Sequence, residues 1–313
     1  MKKIPLSLGI AVNFIWGLAF LFPFLLKNTN PLLIASGRYL VYGALSLSLL
    51  WLGKHNRQKL DKRSWAMAAL LAFTGNVGYY LMLSLAIRFA GITVTALLIG
   101  VLPLSIMMVG NWRSREVGFS RLVCPALLIL SGLVGINWLE HASVPVADTS
   151  RFWCGVVMAL AALGLWTGYG ITNAAWLKRH THISPQHWSL VIGVCCLFQS
   201  VLVLPWLFDG QRLQAMAGDP WWQILAACLV LGVLVSWLAT AWWNQVSRQL
   251  PVTLSGQLIV FETIASLIYG HIATRSWPAG LECLFIVLVL TGVLVGIRVF
   301  QQHPEPQPAD PVG

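Results

Sequence analysis

The stretch "QLIVFETIASLIYG", residues 257 to 270, is strongly apolar, yet Glu262 lies in its middle. A run of this kind is typical of a helix in hydrocarbon, where a central carboxylate costs about 3 kcal/mol on insertion scales. Ionisable groups in such helices usually face the interior of a helix bundle and find partners there. The stretch therefore predicts a helical membrane protein with a polar centre.

The composition of the whole chain indicates the same class. Of its 313 residues, 58% are hydrophobic and 10% are charged, and the mean hydropathy is +0.75, which is outside the range of soluble domains. Several of the 16 Trp lie at the edges of apolar runs, as in the aromatic belts of membrane proteins. The six Cys lie within or beside apolar runs without metal-binding spacing, so the sequence predicts neither a metal site nor another cofactor.

A helix needs roughly 20 apolar residues to cross the hydrocarbon layer. This criterion predicts an all-α membrane protein with ten transmembrane helices and only short connections between them. The predicted spans cover residues 5–25, 31–52, 65–87, 91–110, 122–139, 152–174, 188–207, 222–245, 251–271 and 278–299.

The distribution of basic residues predicts the orientation, because cytoplasmic loops retain Lys and Arg. With both termini in the cytoplasm, most of the 20 Lys and Arg lie on the inner side and Arg38 lies inside a span. The outer side then holds only Lys27, Arg88, Arg151, Arg212 and Arg275. The net charge of +10 thus reflects topology and contact with anionic lipid, and it predicts no nucleic-acid partner.

The two halves of the chain match when the sequence is shifted by 160 residues. Arg88 then meets Arg248, Gly110 meets Gly270, and "LSG" ending at Gly132 meets "LTG" ending at Gly292. Because each half has five predicted spans, the second half must enter the membrane from the opposite side. We expect two inverted five-helix repeats around a central cavity, residues 1–145 and 146–300, followed by a disordered tail, 301–313.

No catalytic signature occurs in the sequence, so we expect no enzymatic activity. There is no G-x-x-x-x-G-K-[ST] loop, H-E-x-x-H, G-x-S-x-G or dinucleotide fingerprint. The loop "RHTHISPQH" contains His180, His182 and His187. The sequence does not favour a metal site in this loop, because the His cluster lacks a carboxylate or Cys partner.

Polar and aromatic residues recur at helical spacing along several predicted spans. Such stripes can line a cavity, or they can join helices through hydrogen bonds in lipid. We favour the cavity because the stripes also carry aromatic residues. The candidate substrate-binding residues are Asn13, Trp16, Arg38, Asn76, Tyr80, Trp166, Asn173, Trp243, Gln257 and Glu262.

Glu262 and Arg38 allow two interpretations. At the helical rise, Glu262 lies roughly 16 Å from the inner end of its span and Arg38 roughly 10 Å below the outer end of its own. The two residues can form a permanent structural ion pair. Alternatively, Glu262 faces a wet cavity and carries protons, which makes it the candidate proton-coupling residue.

Two small-residue motifs, Gly164-x-x-x-Gly168 and Gly292-x-x-x-Gly296, are typical of close helix packing. We expect both to pack inside the protein, although a dimer seam is the alternative.

The segments "FIWGLAF", "LIASGRYLVYGAL" and "LLIGVLPLSIMMVG", in this order, together with the five-plus-five plan, resemble the EamA-type permeases of the drug/metabolite transporter superfamily. The resemblance covers nearly the whole chain. It implies a ten-helix bundle that exports amino acids or other small metabolites across a bacterial inner membrane by alternating access. Trp16, Arg38 and Pro103 occupy positions usual in the family.

The chain departs from the family pattern in two places. The family commonly ends spans four and nine in Gly-Glu, whereas Asn111 and His271 stand at those positions, and "FET" (261–263) replaces the usual Pro of span nine. We therefore expect Glu262 to mark a subgroup with its own substrate or coupling.

The sequence predicts a secondary transporter with a small-molecule substrate and a lipid bilayer as its partners. The alternatives are a membrane scaffold or accessory subunit, and a flippase for a lipid-linked substrate. The sequence leaves the oligomeric state open.

Overall fold

The computed structural model describes residues 3–26, 28–53, 60–114, 118–140, 149–207, 217–275, 277–278 and 280–302. Within these ranges every regular element is a helix. The α-helices are α1 (Lys3–Leu25), α2 (Pro31–Leu52), α3 (Lys62–Ala72), α4 (Gly78–Gly100), α5 (Leu102–Ser114), α6 (Phe119–Glu140), α7 (Thr149–Arg179), α8 (Pro185–Leu207), α9 (Trp221–Val230), α10 (Ala239–Gln249), α11 (Val252–Leu258), α12 (Val260–Thr274) and α13 (Gly280–Gln302). Two π-helical segments, Phe73–Val77 and Leu231–Leu238, join α3 to α4 and α9 to α10.

Among the described residues, six helical stretches are long and apolar enough to cross a membrane. A helix suits this environment because it satisfies every interior backbone group without water. These stretches are Leu32–Leu52, Lys62–Ile87, Ser150–Arg179, Pro185–Leu202, Trp221–Gln249 and Leu254–Ala273, and shorter apolar helices cover Pro5–Ala19, Phe119–Gly135 and Gly280–Gly296. The structure is therefore that of an all-helical membrane protein, and the count of ten spans stays a prediction.

Side-chain caps define the start of two helices. The Asn30 side chain accepts a hydrogen bond from the Leu32 N–H at 3.0 Å, one residue after Pro31 begins α2. The Asp61 carboxylate caps α3 and accepts from the Ser64 N–H at 2.9 Å. Hydrogen bonds from the Ser64 hydroxyl and backbone lower the pKa of Asp61. This cap is therefore complete above the ordinary Asp pKa and is lost as pH falls through the lowered value.

The boundary between the third and fourth predicted spans lies further along the chain than expected. The predicted break falls after residue 87, but α4 continues to Gly100 and the chain turns at Val101. The Val101 N–H bonds to the Leu98 carbonyl at 3.3 Å, and Pro103 has no N–H to offer the Ile99 carbonyl. The helix therefore breaks beside Pro103.

Two other predicted boundaries lie at the edge of the described ranges or outside them. The division between the repeats at 145 and 146 lies outside the described residues. The predicted tail begins at 301, but α13 continues to Gln302. Residues 303–313, the rest of that tail, also lie outside the described residues.

The ninth predicted span, 251–271, is interrupted at Ile259. The Ile259 N–H bonds to the Gly256 carbonyl at 3.2 Å, and the Glu262 N–H bonds to the Ile259 carbonyl at 2.9 Å. Both bonds join residues three apart, instead of the four of an α-helix, and this tighter turn separates α11 from α12. Glu262 therefore lies in the first turn of α12, where the helix dipole favours a carboxylate.

The helices pack in two groups with a pair between them. Group A contains α1, the 221–249 span, α11 and α12. Group B contains the 62–100 stretch, α5 and α7. The pair α2 and α8 pack closely on each other and contact both groups, while α6 and α13 pack together on the flank. Groups A and B meet mainly where α11 packs closely on α5, and also where α10 contacts α7.

Backbone contact between α2 and α8 requires Gly43. A Cβ atom there would lie 2.9 Å from the Gly193 carbonyl oxygen and from the Leu197 Cα. We expect Gly43→Ala to force the two helices apart and destabilise the protein by about 1–3 kcal/mol. Thermal unfolding in detergent should give a midpoint several degrees lower.

Gly164→Ala is the matched control for this prediction, because a Cβ at Gly164 meets no atom of the described residues within 4 Å. Alanine also favours a helix over glycine by up to about 1 kcal/mol, so this variant should unfold at the wild-type midpoint or slightly higher. Equal midpoints for the two variants would contradict the observed α2–α8 packing.

The predicted internal packing of the small-residue motifs is confirmed at one site and wrong at the other. A Cβ at Gly292 would meet the Ile129 backbone nitrogen at 3.0 Å, and one at Gly296 would meet the Gln257 side chain. Gly164 and Gly168 are instead exposed, and a Cβ added at either would meet no atom within 4 Å in the described part of the chain. They lie on the face of α7 opposite Trp166, which points inward.

Candidate substrate-binding site

Five aromatic rings from both helix groups meet at the centre of the bundle. Trp166 of α7 is the hub, with ring centroids 5.8 Å from Trp16, 6.4 Å from Trp243, 5.7 Å from Tyr169 and 6.3 Å from Tyr79. Trp16 and Trp243, both in group A, are 5.1 Å apart. At these spacings the rings pack against one another, which leaves no room for a substrate between them. We call these five residues the aromatic cluster.

The indole group of Trp16 ties the aromatic cluster to the second π segment. The Trp16 Nε1–H donates to the Val235 carbonyl at 3.1 Å. The buried Trp243 Nε1 has no hydrogen-bond partner among the residues that the structure describes. Because a buried donor without a partner is costly, Trp243 is a candidate to donate to a substrate acceptor.

Arg38 lies beside the aromatic cluster and is 9% exposed. Its Nε–H donates to the Ser236 Oγ at 2.7 Å. The guanidinium carbon lies 5.3 Å from the Tyr39 ring centroid and 5.8 Å from that of Tyr80, within cation–π range. Its terminal nitrogens make no hydrogen bond to any of the described residues and remain available for an anion.

Glu262 is partly buried and interacts electrostatically with Arg38 and Tyr79. Within the described part of the chain, its carboxylate makes no hydrogen bond and no ion pair within 4.0 Å. The structure thus places Glu262 near Arg38 without a direct salt bridge. The carboxylate and the guanidinium form a charged site with two separate ends.

Asn13 and Gln257 are fully buried, and the side-chain oxygen of each has no partner in the described part of the chain. The Asn13 Nδ2 donates to the Gly9 carbonyl at 2.7 Å, and the Gln257 Nε2 lies 3.2 Å from the Met107 sulfur. An unsatisfied buried acceptor is uncommon and needs an explanation. Both oxygens can accept from a bound molecule or water.

Asn76 and Tyr80 lie at the first π segment and just after it. Asn76 is buried within the segment. Tyr80, in the first turn of α4, is partly exposed, and its ring is 6.3 Å from that of Tyr39. Irregular π turns inside helices occur frequently at functional sites.

Asn173 takes part in a separate hydrogen-bond cluster. Its Nδ2 donates to the Asn244 Oδ1 at 2.8 Å, and its Oδ1 accepts from the Trp188 Nε1 at 3.0 Å. The Asn244 Nδ2 lies 3.4 Å from the Pro185 carbonyl. The side chains of Asn173, Asn244 and Trp188 are completely buried, and we call these three residues the amide cluster.

The structure therefore brings the candidate residues together in parts. Trp16, Trp166 and Trp243 share the aromatic cluster, and Arg38, Tyr80 and Glu262 lie beside it. Asn13, Asn173 and Gln257 bond to residues outside the predicted set. The list of candidate residues leaves out several residues that complete these contacts: Met107, Trp188, Val235, Ser236 and Asn244. Helical spacing does place two of them, Ser236 and Asn244, on the same polar and aromatic stripe of the eighth predicted span as Trp243.

The histidine-rich loop uses one of its rings for packing. The His180 ring stacks on Trp176 at 3.8 Å, and His182 lies 5.9 Å from it. Across the described ranges no group of three His, Cys, Asp or Glu side chains could hold a metal ion.

Two apolar grooves open on the surface. One of about 500 Å³ lies where α12 ends and is lined by residues that include Ile268, Ile272 and Trp277. The other, of about 530 Å³, lies beside Gly164 and Gly168. Neither contains a candidate binding residue, so the predicted site is the packed centre of the bundle.

Several membrane-crossing helices around a buried charged and aromatic centre are typical of polytopic membrane transport proteins. Comparisons with known proteins identify the family. The model of the EamA-like transporter family matches residues 3–138. The inner membrane protein YtfF of Escherichia coli K12 is 30% identical over 307 residues, which cover 95% of each chain. The chain belongs to the EamA-like transporter family, within the drug/metabolite transporter superfamily.

Two further similarities agree with this assignment. The inner membrane transporter YhbE of Escherichia coli K12 is 24% identical over 220 residues, which cover 69% of this chain and 64% of YhbE. A protein solved by crystallography matches with a TM-score of 0.77 at 16% identity, over 97% of this chain and 100% of its own. At this identity the second match shows the fold alone.

Proposed function

We propose that the protein is a secondary transporter that exports amino acids or other small metabolites by alternating access across a bacterial inner membrane. Both termini lie in the cytoplasm, and ten spans form two inverted five-helix repeats, residues 1–145 and 146–300. One observation carries the proposal: Glu262 and Arg38 lie beside the aromatic cluster where groups A and B meet, and neither forms a direct salt bridge with any residue that the structure describes.

The positions of the π segments support the inverted repeat. Adding 160 to residues 73–77 gives 233–237, which fall within the second π segment. The same shift carries Asn76, buried in the first segment, onto Ser236, which binds Arg38 in the second. A duplicated five-helix unit would produce a π segment and a buried polar residue at equivalent positions in its two copies.

The charges and rings suggest how a substrate binds. The free terminal nitrogens of Arg38 can bind a carboxylate in bidentate geometry. Glu262 binds an ammonium group or carries the coupled proton, and the aromatic rings provide apolar and cation–π contacts. Because the rings are packed together, substrate enters only when groups A and B separate, as alternating access requires.

The test is transport by the purified protein in liposomes that contain a pH-sensitive dye. Pools of amino acids and other small metabolites are added outside, and empty liposomes are the control. We expect one pool to evoke a proton movement that protein-free liposomes do not show. If folded protein responds to no pool and moves no labelled member of any pool, a structural role or a lipid-linked substrate replaces the proposal.

A further inference from the structure

We propose that the amide cluster is a gate that closes one end of the substrate pathway in the state described by the structure. The inference rests on the proposed transport function, which it deepens by assigning the residues that open and close the site. It gives Asn173 a role in gating instead of direct substrate binding.

The amide cluster lies between the aromatic cluster and the basic end of the bundle. On α7, Asn173 is seven residues after Trp166 and five before Lys178, which is about 10 Å and 7 Å along the helix. On α10, Asn244 directly follows Trp243 and lies four residues, about 6 Å, before Arg248. The basic residues lie in the last turns of both helices. A molecule moving from this end to the aromatic rings must pass the two Asn side chains.

The bond between Asn173 and Asn244 joins the two helix groups. Asn173 belongs to group B and Asn244 to group A. Trp188 of α8, which contacts both groups, completes the cluster from the side. All three side chains are completely buried, so water has no path between them. Separation of α7 from α10 would break this bond and admit water.

The carboxamide side chains of Asn173 and Asn244 suit a gate that must open repeatedly. Each carboxamide has donors and an acceptor, so the bonds lost on opening are replaced by bonds to water at small net cost. An apolar seal would instead expose hydrophobic surface each time it opened. Beyond the cluster, Arg248 donates to the Thr181 and Ile183 carbonyls and fixes the α7–α8 loop to α10.

Thiol accessibility in liposomes tests the gate without knowledge of the substrate. A reporter Tyr80→Cys is introduced into protein whose six native Cys are replaced, and a membrane-impermeant maleimide is applied to each side separately. We expect Asn173→Ala/Asn244→Ala to increase labelling from the basic end at least tenfold and to reduce labelling from the other end. Asn244→Ser alone should give a smaller increase, and it supplies the readout if the double variant does not fold.

The matched control is Ser105→Ala/Thr167→Ala. It removes another side-chain hydrogen bond of α7, 2.8 Å long, but one that stays within group B. Its labelling should equal that of the parent. Unchanged labelling in the folded Asn variants, while the reporter reacts from the opposite side, would overturn the gate but keep the proposed function. If the reporter reacts from neither side in any folded variant, the protein has no water-filled pathway to Tyr80. Both the gate and the proposed transport function would then be wrong.

Discussion

Replacing Glu262 by Gln should abolish substrate-evoked proton movement and leave substrate exchange largely intact. Gln has nearly the same shape as a protonated Glu, so the site can still close around a substrate, but it cannot release or accept a proton. We expect the dye signal in liposomes to fall at least tenfold. Exchange of labelled for unlabelled substrate, which needs no net proton transfer, should retain most of the wild-type rate.

Glu282→Gln is the matched control for this experiment. Glu282 is also a helix carboxylate, but it lies 2.7 Å from His271 in a direct pair, whereas Glu262 forms no such pair with any described residue. The control should keep the wild-type proton signal. Full proton dependence in the Glu262→Gln variant would show that another group carries the proton and that Glu262 is not the coupling residue.

Much of the centre was predictable because helical spacing shows which side chains share a face. Trp16, Trp166 and Trp243 each lie on a polar and aromatic stripe, and the structure brings their rings together. The cost of burying charge similarly identified Arg38 and Glu262 as interior residues. Spacing within a helix is local information, and it was sufficient to identify these residues as facing the interior of the bundle.

Contacts between distant helices were not predictable in this way. The Asn173–Asn244 bond joins residues 71 positions apart, and periodicity gives a face but not the partner opposite it. The turn at Ile259 was also missed, because no Pro or Gly stands at 258–260. Without this turn, Glu262 would lie inside a continuous helix and not at the start of α12, where the helix dipole acts on it.

The exposed Gly164 and Gly168 illustrate the same limit. The spacing Gly-x-x-x-Gly permits close approach but does not require it. On α7 the inward face is occupied by Trp166, Tyr169 and Asn173, so the small residues face outward. Local sequence therefore identified the inward residues better than it identified the contacts between helices.

Arg38→Met should stop transport without destabilising the protein, and this combination distinguishes a functional residue from half of a structural ion pair. Removing one partner of a buried pair costs about 3–5 kcal/mol because the other charge is left uncompensated. Arg38 has no carboxylate within 4.0 Å among the described residues. Its replacement by a long apolar side chain therefore relieves the cost of burying a charge, and the Ser236 hydroxyl can bond to a backbone carbonyl of its own helix.

We expect the Arg38→Met variant to unfold in detergent at the wild-type temperature or higher and to transport at least tenfold more slowly in liposomes. The control is Arg151→Met, because Arg151 is an exposed arginine over the Phe89 ring, 5.9 Å from its centroid, and its loss should leave transport unchanged. A structural pair predicts the opposite pattern: Arg38→Met and Glu262→Gln would each lower the unfolding midpoint, and the double variant would recover part of the loss because neither charge would remain unpaired.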